Sequence, residues 1–244
     1  MSEIKRLLQD FKLFYNKISS PKLVKISIIL ANSIFLTGLS IGVIISFLFG
    51  PESYNIWINY ISDLGSFRYT PTPFILDIIA MITAILLIPI FFYLSKEILS
   101  KELTLLLNTN HSLGKKIYHL LITIFGFFGF IMLLFTVIGL FGIGLFSEDR
   151  TTELGLHFFF SIVVFSGLTF AALFNGVVII LKRTIFPRLM GLYMMVGPFI
   201  AGVLFIFPPL LCTRPFMEWV MLFAAFIWLI PGSLIMFKKV IKEH

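Results

Sequence analysis

Six apolar runs divide the chain: about Leu23–Phe49, Phe74–Leu94, Ile117–Phe146, Leu156–Leu181, Leu189–Leu211 and Met217–Phe237. Each exceeds the roughly 20 residues a helix needs to cross a hydrocarbon core of about 30 Å. The runs are continuous rather than alternating, which excludes the short two-faced strands of a membrane β-barrel. The pattern predicts an all-α, polytopic membrane helical bundle with six transmembrane helices. A different pattern precedes them. Ile4, Leu7, Leu8, Phe11, Phe14, Tyr15 and Ile18 recur at helical spacing, with Lys5, Arg6, Asp10, Lys12 and Lys17 on the opposite face. Residues 1–22 therefore read as an amphipathic helix on the membrane surface, closed by Ser20-Pro21. Residues 23–237 form the six-span domain, and 238–244 a basic tail.

Breaks within the runs carry their own signals. The third span is longer than a bilayer requires, so it must tilt, project or break near Gly139, Gly142 and Gly144. Gly38-x-x-x-Gly42, Gly126, Gly129, Gly167-x-x-x-Ala171 and Ala172-x-x-x-Gly176 mark close helix approach, and Asn32 and Asn175 are expected to bond across helices. Pro89, Pro198 and Pro231 should bend their spans.

Composition agrees with the pattern. Of 244 residues 59% are hydrophobic, 30 of them phenylalanine, more apolar surface than a soluble domain of this size can hide. One cysteine, Cys212, excludes an internal disulfide and a cysteine-cluster metal site. The first run lacks the short apolar region and small-residue exit of a cleaved signal, so it is expected to remain as a helix. The net charge of +7 is topological rather than a nucleic-acid footprint, because 16 of the 19 basic residues fall at one set of span ends. Only Arg68, Arg150 and Arg214 lie at the other set. The positive-inside rule then places both termini in the cytoplasm of a multi-pass cell-membrane protein. Asn110-His111-Ser112 matches a glycosylation sequon but falls on that inner side.

The acids are distributed the opposite way. Glu52, Asp63, Asp77, Glu148, Asp149, Glu153 and Glu218, seven of twelve, fall at the outer ends, joined by His157. The 51–77 stretch is the core of this polar cluster. Ser53 is expected to cap a short helix carrying Tyr54, Trp57, Tyr60 and Ile61 in the headgroup layer, ended by a left-handed Gly65. Thr72-Pro73 starts the second span. Asp77, one turn deeper, must face the bundle or find a partner, with Arg68 or Arg214 as candidates; a membrane carboxylate is also a site hypothesis in its own right. Asp63 and His157 are either local caps or a pair that acts with Glu148 or Asp149 as acid and base or as metal ligands. No two candidate ligands share the spacing of a helix-borne metal site, so no metal is expected. Glu148-Asp149-Arg150 reads as a solvated loop, Glu218 as a cap or pocket wall, and His119 as interfacial. The apolar Gly139-x-x-Gly142 is no nucleotide loop, and no cofactor is indicated.

The string Ile61-Ser62-Asp63-Leu64-Gly65 ahead of a span, and Glu148 followed by His157 at the next outward helix start, resemble a family of uncharacterised prokaryotic six-span membrane proteins. Pro51-Glu52-Ser53 and Ser62-Asp63-Leu64-Gly65 more distantly resemble the Frag/DRAM/Sfk membrane proteins. That resemblance implies a link to lipids at the outer leaflet. The expected function is binding of a lipid or small amphiphile in an outward-facing polar pocket, with Glu52, Asp63, Arg68, Asp77, Glu148, His157 and Glu218 as candidate contacts. The alternatives are an enzyme acting on a lipid headgroup or acyl ester through Asp63, Asp77 and His157, and a small-molecule transporter. Transport has less behind it: no internal repeat is evident and no charge sits near a span midplane.

Overall fold

A computed structural model describes residues 3–99, 102, 105 and 112–242. Lys101, Asn110, His111 and the side chains of Ile4, Lys5, Leu7 and Leu8 lie outside the described residues. The elements are helical, with no strand among the described residues: α1 (Glu3–Ile18), α2 (Pro21–Phe49), α3 (Phe74–Leu99), α4 (Leu113–Leu145), α5 (Leu156–Leu181), α6 (Arg188–Ile206) and α7 (Arg214–Lys242). Two short 3-10 turns, Ser62–Gly65 and Glu148–Arg150, lie in the connections. Helices α2 to α7 are each long and apolar enough to cross a membrane. All six expected spans are present, and most extend beyond the apolar run because flanking lysines and arginines continue the helix. The fifth is instead shorter, ending at Ile206 ahead of Pro208-Pro209.

The six spans form a closed ring in chain order. Each packs against its sequence neighbour, and α7 returns to α2. Six spans joined in this way bring both ends of the ring to one side, here termed the termini face, opposite the loop face that carries residues 50–73. The main core lies inside the ring, around Leu133, Ala171, Ala172, Val178 and Trp228. A second cluster of Leu39, Tyr54, Leu64, Leu76, Trp219 and Leu222 seats the first loop on α2, α3 and α7. Helix α1 docks beside α3, where the Tyr15 hydroxyl donates to the Phe92 carbonyl (3.3 Å), while Phe11 and Phe14 stay exposed.

Glycines set the closest approaches. A Cβ on Gly139 would lie 2.5 Å from the Val164 nitrogen, and one on Gly176 2.7 Å from the Gly191 carbonyl oxygen. The long third span is one unbroken helix, α4. Its glycines take in Val164, Phe160 and the Asp77 carbonyl rather than break it. Gly38 meets Ile79, whereas Gly42 has nothing within 4 Å. Helix runs through all three internal prolines. Asn32 bonds across helices to Ser233 Oγ (3.0 Å). Asn175 does not: its amide donates to Ala171 O in its own helix (2.9 Å), and its side chain fills the space left by Gly129.

Candidate functional site at the loop face

The first loop is held by side chains rather than by a helix. The Asn59 side-chain oxygen accepts from the Asn55 nitrogen (2.9 Å), and the Asn55 side chain accepts from the Trp57 nitrogen (2.9 Å). These bonds capture the backbone donors that a helix starting at Ser53 would need, so the segment turns instead. The Tyr54 hydroxyl donates to the Tyr60 carbonyl (2.8 Å) from a buried position, and burial pushes this phenol far above its ordinary value. Trp57 stacks on Phe216 at 4.0 Å, and Thr213 Oγ1 donates to the Trp57 carbonyl. Gly65 closes the following 3-10 turn without a positive φ; only Gly155, ahead of α5, adopts one (65°) among the described residues. What Gly65 needs is space: a Cβ there would lie 3.2 Å from Asp77 Oδ1.

Asp63 is buried and works locally. Its Oδ2 accepts from Asn59 Nδ2 (3.1 Å) and from the Tyr60 nitrogen (2.9 Å). Burial raises its carboxyl above the ordinary 3.8, against the two hydrogen bonds. Asp77, at the start of α3, is buried and paired with neither Arg68 nor Arg214. Its partner is Arg150, whose guanidinium reaches Oδ2 at 2.8 Å and also donates to the Gly144 carbonyl (2.9 Å). Glu148–Arg150 is therefore more than a solvated loop. All three side chains are exposed, and each is engaged: Asp149 accepts from Ser66 Oγ (2.7 Å) and the Phe67 nitrogen (2.6 Å), and Glu148 lies 3.5 Å from His157 Nε2.

His157 is buried at the start of α5. Its Nδ1 lies 2.7 Å from the Phe146 carbonyl, which only accepts, so the proton sits on Nδ1. That leaves Nε2 facing Glu148, without hydrogen-bond geometry. Arg68 and Glu52 form an exposed pair (3.1 Å), of the kind that contributes little to stability. Glu218, buried at the start of α7, accepts from the Ile61 nitrogen through Oε2 (2.7 Å).

The structure thus sorts the seven candidates. Asp77, Glu148 and His157 surround the 148–150 turn, Asp63 caps a turn, and Glu52 and Arg68 sit on the surface. No hydrogen bond or ion pair joins Asp63 to His157 or Asp77 among the described residues. Among them no group of three or more His, Cys, Asp or Glu is placed to hold a metal ion.

Glu218 belongs to a different feature. Beneath the loop, inside the ring, lies a cavity of about 160 Å³. All six spans line it, through Ala31, Ala80, Thr136, Val164, Met194 and Trp228 for example. Its loop-face end is formed by Ile61, Ser62 and Glu218, and its walls are overwhelmingly apolar. Of the seven candidates only Glu218 reaches it. Two further lining residues, Thr83 and Trp228, are buried and hold polar atoms, Oγ1 and Nε1, with no hydrogen-bond partner among the described residues. Sequence reasoning passed over both, because a Thr or Trp inside an apolar run looks like packing.

The termini face carries a second buried group. Glu102 accepts from Lys182 Nζ (2.8 Å) and contacts His119 Nδ1 (2.8 Å), while Lys182 also donates to the Ile98 carbonyl (2.9 Å). Burial alone would raise the Glu102 carboxyl. Lys182 and His119 outweigh that and bring it below its ordinary value. His119 is thus part of a polar cluster rather than simply interfacial.

No protein-family model, curated protein or solved structure matches the chain.

Proposed function

We propose that this six-span membrane protein binds a lipid or small amphiphile, with the apolar part of the ligand in the cavity beneath the loop face. The observation that carries the reading is the cavity itself, overwhelmingly apolar yet lined by two buried polar atoms, Thr83 Oγ1 and Trp228 Nε1, that have no hydrogen-bond partner among the described residues. Buried donors and acceptors are nearly always paired in folded proteins, so an orphaned pair beside a void is what a ligand site leaves behind. Cavities of about 150 Å³ admit a molecule of benzene size. The part of the ligand held there is therefore a ring or a short apolar stretch of an amphiphile rather than a whole lipid. The resemblance to the Frag/DRAM/Sfk proteins points the same way. The charge distribution supports cytoplasmic termini and an outward loop face.

The test is mass spectrometry of lipids and small molecules that co-purify with the native chain and with Ala225→Phe. Ala225 is a buried cavity-wall residue, and the larger ring fills the space. A species enriched over the bulk membrane with the native chain and lost with the variant is the expected result. Identical profiles from two equally well-folded proteins would remove the reading.

A further inference from the structure

We infer that the head group recognised at the loop-face end of the cavity is cationic, an ammonium carried on an apolar stem, and that Glu218 is its anchor. The inference rests on the cavity reading above and names the chemistry of its ligand. Glu218 is 8% exposed and lines the cavity. Its carboxylate accepts one hydrogen bond, from the Ile61 nitrogen to Oε2 (2.7 Å). Oε1 accepts none, and no ion pair reaches the group among the described residues. The other charges that act on it are those of Asp63 and Glu148, both negative. Buried charges are normally paired, and within a membrane segment an unpaired one marks a functional position. A cation seated in the cavity that Glu218 lines would be that partner.

The rest of the cavity fits such a molecule. Phe35, Phe226 and Trp228 supply aromatic wall, suited to an apolar stem and tolerant of a nearby cation. An ammonium N–H would donate to Glu218 Oε1. An anionic head group would meet the Glu218 carboxylate and no compensating arginine on the cavity wall. A neutral alcohol could donate once but would leave the charge uncompensated.

The inference is tested with N,N-dimethyldodecylamine, charged at neutral pH, against dodecanol, its neutral counterpart. Both are titrated into full-length protein in phosphatidylcholine nanodiscs and read by native mass spectrometry against empty discs. The native chain is expected to bind the amine about tenfold more tightly than the alcohol, the scale of one charge-assisted hydrogen bond. Glu218→Gln should bring the two to parity, and Ala225→Phe should weaken both. Equal affinities in the native chain, a comparison that needs no variant, overturn the cationic head while leaving the cavity reading intact. Failure of either probe to bind, unchanged by Ala225→Phe, removes the cavity reading itself. Repeating the titration with phosphatidylethanolamine in the discs separates two sources of the same chemistry. Displacement of the amine assigns the natural head to a lipid, and no displacement assigns it to a free hydrophobic amine.

Discussion

Arg150 and Asp77 are 73 positions apart in the chain and 2.8 Å apart in space. Asp77 is buried and Arg150 half exposed (side chains 5% and 52%), so removing the arginine leaves an uncompensated carboxylate beside α4. Arg150→Ala is predicted to cost about 2–3 kcal/mol, less than the ~3–5 kcal/mol of fully buried pairs because water reaches the arginine. Asp77→Asn should cost less, since the charge left behind is the half-exposed Arg150 guanidinium, which water can solvate. Thermal unfolding of the two variants in one detergent checks the order. Asp63 makes a prediction of opposite character. Its carboxyl titrates above the ordinary 3.8 in the folded protein, so the native state holds a proton that the unfolded chain has already lost. That contribution to stability is complete below 3.8 and disappears as pH rises through the folded value. Asp63→Asn should therefore gain on the native chain as pH rises from about 3 to 7, and unfolding temperatures measured across that range show whether it does. The two partnerships were not equally legible in the sequence. Asp63 announced itself as a local cap because its partners, Asn59 and Tyr60, are four and three residues away. Arg150 gave no such sign, because acid and base on separate loops carry no spacing rule.

At the scale of elements, the glycines of α4 decide how closely α5 can lie. Gly139→Ala places a methyl group 2.5 Å from the Val164 backbone, which only a shift of the helix can relieve. A loss of about 1–3 kcal/mol is predicted, the usual cost of overpacking. Gly42→Ala meets open space and should be neutral or slightly stabilising in a helix. If the two behave alike, close packing is not what Gly139 supplies. Gly42 was visible as part of a small-residue motif and Gly139 only as a place where the long span could break, and the sequence could not tell which faced a partner, since that depends on helix rotation. On the termini face, Glu102 links α4 through His119 and α5 through Lys182. Its carboxyl lies below the ordinary 4.5 in the folded state, so its contribution is complete above 4.5 and lost as pH falls through the folded value. The penalty of Glu102→Gln should be largest near neutrality and shrink in acid, opposite in sign to the Asp63 effect. The same unfolding series measures both.

At the scale of the whole molecule, the six spans were legible because hydrocarbon thickness imposes a length on every crossing and hydropathy records it. The closed ring and its cavity were not. Apolar residues that face lipid, such as Phe127 and Ile227, and those that face the core, such as Leu133 and Trp228, belong to one undifferentiated alphabet. For that reason the cavity among the spans could not be read from the sequence, and Glu218 is the one candidate contact that lines it. What remains to be measured is which way this object faces. The charge asymmetry predicts that the loop face is extracellular, and the chain carries its own reporter. Cys212 is the single cysteine, and it lies partly exposed in the connection between α6 and α7, on the same face as the 50–73 loop. A membrane-impermeant maleimide applied to intact cells should label it, with labelling abolished by Cys212→Ser. Labelling that appears only after the membrane is permeabilised would invert the topology. The cavity, Glu218 included, would then open toward the cytoplasm, and a cationic amphiphile would have to reach it from inside the cell.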